Sequence, residues 1–144
     1  MKRGACGTTA HCSCGSLRAE ATGEPAFVVA CHCVECQRRT GSPFGVSTCF
    51  LKEQVRTEGQ SKVYVRGTDS GQKIELHFCP NCGSTVFWYA ELVPDLIVIA
   101  FGAFADPSMP RGNRGCGFVE RNHSRRIHDG RDGHADLADG ASFA

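Results

Sequence analysis

The segment CHCVECQRRTGS, residues 31–42, puts three cysteines within six positions and follows them with two arginines and a Thr-Gly-Ser turn. Three thiols are one more than a disulfide uses and one fewer than a closed tetrahedral zinc site takes. Two further groups flank it in the chain: Cys12 and Cys14 in HCSCGSLR (11–18), and Cys79 and Cys82 in HFCPNCGS (77–84). Seven thiols then divide as four plus three. Two pairs from distant segments make a closed four-cysteine site, the usual structural zinc arrangement, and the remaining trio leaves one position open, as catalytic zinc sites do. In CPNCGS, Pro80 fixes the bend and Gly83 lets backbone N–H groups approach the sulfurs. An alternative recruits Cys49 as a fourth ligand to Cys31, Cys33 and Cys36, which would close that site and make it structural.

The chain has ten cysteines in 144 residues, enough to raise a disulfide framework as a rival reading. Clustering argues for metal, because C-x-C and C-x-x-C pairs deliver neighbouring thiols to one small ion, whereas half-cystines are usually spread along the chain. MKRGACGTTAHCSCG has two basic residues and no apolar stretch behind them, so no export signal is expected and a reducing cytoplasm is the expected compartment. No apolar run reaches the length of a membrane span. A formal charge of +1 gives no bulk electrostatic case for nucleic acid.

Between the cysteine groups lie short β-branched or aromatic runs bounded by turn residues: 16–22, 26–33, 44–51, 61–67, 72–78, 84–90 and 96–104. In KIELHF, Ile74, Leu76 and Phe78 share one face and Glu75 and His77 the other. Strands at such intervals predict a mainly β domain, a sandwich of short antiparallel strands with zinc-binding turns. LKEQVRTE (51–58), with Leu51 and Val55 four apart, reads either as a short helix or as a turn leading into a strand. Past Pro110 the apolar pattern gives way to Gly, Arg, Asp and His, so residues 1–110 are expected to form the domain and 111–144 a loosely packed polar tail. Its histidines, His123, His128 and His134, fit no single helical face and read as solvated.

A zinc held by three thiolates carries net charge −1, since +2 is offset by three negative sulfurs, and repels a further anion. Arg38 and Arg39 follow the last ligand closely, and one of them is expected to pair with a substrate carboxylate. Thr40, Gly41 and Ser42 offer two hydroxyls and backbone donors in a tight turn. An open zinc beside guanidinium groups suits a thiol that carries carboxylates, held as thiolate by the metal. His32, between two ligands in an extended segment, points away from them. It reads as a packing residue, as do His11 and His77, while Cys6, Cys49 and Cys116 read as buried spectators.

The motifs C-x-C-G-x-L-R, C-H-C-x-x-C-Q-R-x-T-G-S, H-F-C-P-N-C-G-S-x-V and G-A-F-A-D-P-S occur in this order over roughly residues 5–110. Together they resemble the glutathione-dependent formaldehyde-activating enzyme family, which is related to centromere protein V. The resemblance implies a β-tent fold with two zinc ions, Cys12, Cys14, Cys79 and Cys82 holding the structural one and Cys31, Cys33 and Cys36 the catalytic one. It implies a carbon–sulfur lyase of the S-(hydroxymethyl)glutathione synthase type, joining glutathione or a similar thiol to formaldehyde or a related small carbonyl. Arg38 or a turn hydroxyl would stabilise the developing alkoxide. A homodimer is a possible assembly. The alternative is a non-catalytic zinc module acting in macromolecular interaction, since a fold does not fix a function. Relatives commonly carry aromatics, including a tryptophan, after the DPS motif; here Trp88 is the only tryptophan.

Overall fold

The computed structural model describes residues 7–109 and the backbone of 117–121. Cys6, Cys116, His123, His128 and His134 lie outside the described residues. The chain forms two compact units: one takes Thr48–Met109 with the chain up to Ala26, and the other takes Phe27–Ser47 with Gly117–Arg121.

In the first unit, β1 (Thr8–His11), β2 (Arg18–Ala21) and β5 (Val55–Glu58) make a three-stranded antiparallel sheet in the order β1-β2-β5. A second sheet carries β9 (Leu96–Ala100), β8 (Thr85–Ala90), β7 (Lys73–Phe78) and β6 (Lys62–Gly67), in that order. Register explains what each face does. Phe87 pairs with Ile99 and Trp88 with Val98, so alternate residues face opposite ways. Phe87, Ile97 and Ile99 join Phe50, Val86 and Phe104 in a core against Ala10, Leu17, Ala19 and Ala21 from the small sheet. The alternation in β2, with Ala19 and Ala21 fully buried between exposed Arg18 and Glu20, is what closes the sandwich. Alanine at these places lets the two backbones come near without a void.

The second unit holds β3 (Phe27–Cys31), a seven-residue helix α1 (Val34–Thr40), the start of β4 (Gly45–Leu51) and β10 (Gly117–Arg121). Their sheet order is β10-β3-β4, with β10 parallel to β3 and Arg121 opposite Cys31. Mainly antiparallel β structure is therefore correct, and the β10–β3 pairing is parallel. GFVER, inside the segment read as a polar tail, supplies the β10 strand.

Residues 51–58 take the second of the two readings: Lys52–Gln54 is a single 3₁₀ turn that leads into β5. Gln54 decides this. Its side chain accepts from the Leu51 N–H at 2.9 Å and donates to the carbonyls of Thr22 and Glu24 at 3.0 and 3.1 Å. Val55 then pairs with Ala21, so the chain gains sheet bonds that a helix would forgo. Conversely, the 26–33 run reads as strand through Cys33, whereas β3 stops at Cys31 and the chain turns into α1 at Val34.

Thr48 on β4 is fully buried and its hydroxyl has no hydrogen-bond partner among the described residues. Removing an unmet buried hydroxyl while keeping the shape is favourable. Thr48→Val is expected to raise stability by about 1 kcal/mol, read as a higher urea midpoint at unchanged slope; a lowered midpoint would mean that the hydroxyl is bonded.

Candidate metal centres

Among the described residues, two groups bring metal-ligating atoms within 4.8 Å of one another: Cys12, Cys14, Cys79 and Cys82, and separately Cys31, Cys33 and Cys36. This is the four-plus-three division read from the spacing. Cys49, buried on β4, belongs to neither group.

The four-cysteine group belongs wholly to the first unit. Cys12 and Cys79 are buried in its hydrophobic core, and Cys14 and Cys82 are exposed, so the group sits at the rim of the sandwich. Each pair is shaped by a backbone turn. Gly15 N–H donates to the Cys12 carbonyl at 2.9 Å, and Gly83 N–H to the Cys79 carbonyl at 2.9 Å, with φ near +77° at Gly83. That left-handed value favours glycine, as the CPNCG motif supplies. The Sγ atoms of Cys12 and Cys14 lie 3.6 Å apart, as do those of Cys14 and Cys79. A tetrahedral zinc with bonds of about 2.3 Å needs sulfur separations of about 3.8 Å. The group fits such an ion.

Hydroxyl and backbone groups surround these sulfurs. Ser16 Oγ lies 3.0 Å from Cys14 Sγ and 3.2 Å from Cys79 Sγ, Ser84 Oγ lies 3.4 Å from Cys82 Sγ, and Leu17 N–H donates to Cys12 Sγ at 3.2 Å. The Ser16 hydroxyl, followed by Asn81, pulls the Cys14 thiol down to about 5, and the Ser84 hydroxyl pulls Cys82 down to about 7. Both thiols are thus disposed to bind as thiolates. Sequence reading passed over Ser16 and Ser84; a serine two places after each C-x-C or C-x-x-C pair was the available signal.

The three-cysteine group belongs wholly to the second unit. Cys31 ends β3, Cys33 caps α1 and Cys36 sits one turn in. The C-x-x-C spacing does this by itself: as N-cap, Cys33 accepts the Cys36 N–H on its sulfur at 3.4 Å. The Cys31 thiol is pushed far up, first by its hydrogen bonds with Cys33 and Cys36 and then by burial. For Cys36, the hydrogen bond with Cys31 lowers, Cys33 and burial raise, and the Arg39 charge lowers; the net is upward. Cys31 and Cys36 resist ionising beside a third thiol, and a divalent cation relieves this, since it takes thiolates and offsets their charge. These residues too fit a zinc ion.

The two arginines beside the trio have different neighbours. Arg38 is 73% exposed at its side chain and pairs with Glu35 at 3.1 Å, one turn back on α1. Arg39 is the arginine whose charge is felt at Cys36. Thr40 Oγ1 donates to the Cys36 carbonyl at 2.8 Å and to the Phe44 carbonyl at 3.3 Å, and Ser42 Oγ accepts the Phe44 N–H at 3.3 Å. Gly41 caps the helix with φ near +65°. The Thr-Gly-Ser hydroxyls therefore build the turn. His32 packs its ring 5.2 Å from that of Phe44, His77 stacks on Phe87 at 4.6 Å and bonds Ser61, and the exposed His11 bonds the Cys12 carbonyl.

Residues 7–115 match the family model described as glutathione-dependent formaldehyde-activating enzyme. The chain belongs to that family. A Fusarium vanettenii protein described as "Putative glutathione-dependent formaldehyde-activating enzyme" is 35% identical over 84 residues, covering 56% of this chain and 44% of that protein. An "Uncharacterized lyase" of Schizosaccharomyces pombe is 30% identical over 78 residues, covering 54% of each. The chain thus spans about half the length of the curated relatives it matches. A crystal structure of a Rhodobacter sphaeroides protein shares the fold, with a TM-score of 0.55 at 19% identity over 77% of this chain and 99% of that one. Among the described residues, no helix is long and apolar enough to cross a membrane.

Proposed function

We propose that this family member is a zinc-dependent carbon–sulfur lyase that joins a thiol, glutathione or one similar, to formaldehyde or a related small carbonyl. The observation that carries this reading is the asymmetry of the two cysteine groups, one with four ligands and one with three. Zinc held by Cys31, Cys33 and Cys36 would supply a position at which an incoming thiol is held as thiolate. Cys33 and Cys36 are fixed by the first turn of α1, so the trio is preorganised by local backbone structure. Arg39 offsets the net negative charge there and would draw a carboxylate-bearing thiol. In the reaction the thiol sulfur bonds to the carbonyl carbon, and the proton given up by sulfur ends on the oxygen, leaving an S-hydroxymethyl group. Holding the two reactants together replaces an encounter in solution. A reducing cytoplasm is the matching compartment for thiolate ligands.

Zinc content of the full chain is expected to be two per molecule, falling to one in Cys36→Ser with the fold retained. After replacement of zinc by cobalt, glutathione should perturb the ligand-field bands of one site only; unchanged bands would sink the reading. A second reading, a zinc module that binds a macromolecule, is favoured by β6, a terminal strand whose Val63, Tyr64 and Val65 are all exposed. It requires two closed sites and no response to small thiols.

A further inference from the structure

We propose that Gly45 is the seat that holds the Arg39 guanidinium beside Cys36, and that this seat makes the site prefer thiols carrying a carboxylate over uncharged ones. The inference rests on the thiol-binding reading above and names what selects the thiol.

A Cβ built on Gly45 would stand 2.7 Å from Arg39 Nη2, 3.4 Å from Cys36 Cβ and 3.4 Å from Thr40 Cγ2. The bare Cα of Gly45 is therefore the surface on which the guanidinium rests, next to the last cysteine of the trio. The backbone of Gly45 has no left-handed φ, so glycine is not needed there for conformation. What it supplies is room. Thr40 fixes the spacing, since its hydroxyl bridges the Cys36 carbonyl on α1 and the Phe44 carbonyl just before Gly45. Arg38 is turned the other way, toward Glu35 one turn back on α1.

Charge gives the seat its consequence. With three thiolates on a divalent ion the centre carries −1, and an anionic thiol approaches it only if a cation stands close by. Arg39 presents a planar guanidinium suited to a carboxylate, and its position depends on Gly45 having no side chain. Carbon and nitrogen at 2.7 Å overlap, and the atom that yields is the far end of a flexible side chain. Gly45→Ala should therefore move the guanidinium and leave the strand and helix in place.

The test uses the purified full chain with cobalt in place of zinc, titrated with 3-mercaptopropionate and with 2-mercaptoethanol. The ratio of the two dissociation constants, followed from wild type to variant, reads charge preference and cancels intrinsic thiol differences. Wild type should favour the anionic thiol by about tenfold, the scale of one charge-assisted contact. Gly45→Ala and Arg39→Gln should each lower that ratio by about fivefold or more relative to wild type, while Arg38→Gln keeps the wild-type value. Gly45→Ala retaining the full preference would overturn the seat, and Arg39→Gln retaining it would overturn the role of the arginine even if Gly45→Ala fails to fold. If neither thiol perturbs the wild-type spectrum, the thiol-binding reading itself fails and takes this inference with it.

Discussion

Gly59→Ala is expected to lower stability by about 3 kcal/mol or more and to strip metal from the four-cysteine group. Gly59 has φ near +94°, and a Cβ there would lie 1.9 Å from the Ser16 carbonyl oxygen and 3.1 Å from Leu17 Cα. Unlike the overlap at Gly45, this one is with backbone. The chain at Ser16–Leu17 would have to retreat, and it cannot do so alone. Leu17 is buried in the core, its N–H donates to Cys12 Sγ, and Ser16 Oγ lies against the sulfurs of Cys14 and Cys79. Strain at one loop thus spreads to the core and to the cysteines together. Total stabilities of single domains are about 5–15 kcal/mol, so a loss of this size is a large share. Thermal or urea denaturation with zinc analysis checks it, and a wild-type midpoint with full zinc content would show that the loop can move aside.

The second large effect is expected from Cys79→Ser, which should leave no soluble folded protein. Cys79 is fully buried in the core, and its backbone forms the turn by donating to the Ser84 carbonyl and accepting from Gly83. Binding free energies of structural zinc are about 10–16 kcal/mol, comparable to or larger than the whole stability of a domain. Loss of one ligand also leaves a more polar hydroxyl in an apolar place. Cys36→Ser, on a helix with no buried residue, should by contrast remain soluble. The check is paired soluble yield and zinc content of the two variants. Soluble Cys79→Ser with an unchanged melting temperature would show that the four-cysteine group does not hold the fold, and unfolding by Cys36→Ser alone would reverse the two assignments.

Much of the site was legible because its determinants are local. The spacing of Cys31, Cys33 and Cys36 and of Cys79 and Cys82 is set by one helical turn and one glycine-closed turn, and both are properties of a few consecutive residues. The strand at 72–78 was legible for the same reason, since alternation along β7 records which face is buried, whereas β8 buries Val86, Phe87 and Trp88 in a row and was legible from its β-branched and aromatic residues. Arg38 and Arg39 show where this kind of reading stops. Adjacent on a helix, they point about 100° apart, and only the placement of Glu35 on one side and Gly45 with Cys36 on the other assigns them different partners. Gln54 is a like case: nothing in LKEQVRTE reveals that its amide meets the carbonyls of Thr22 and Glu24, thirty residues away in the chain.

By itself the sequence determined a mainly β chain with one group of four cysteines and one of three, because thiol spacing and side-chain alternation are written in neighbouring residues. Tertiary structure alone decided that Ser16 also reaches the sulfur of Cys79, that the Thr40 and Ser42 hydroxyls bond within the turn, and that Arg39 stands at Cys36. Those choices depend on contacts between segments separated in the chain or on the direction a side chain takes once packed, and no local pattern encodes either.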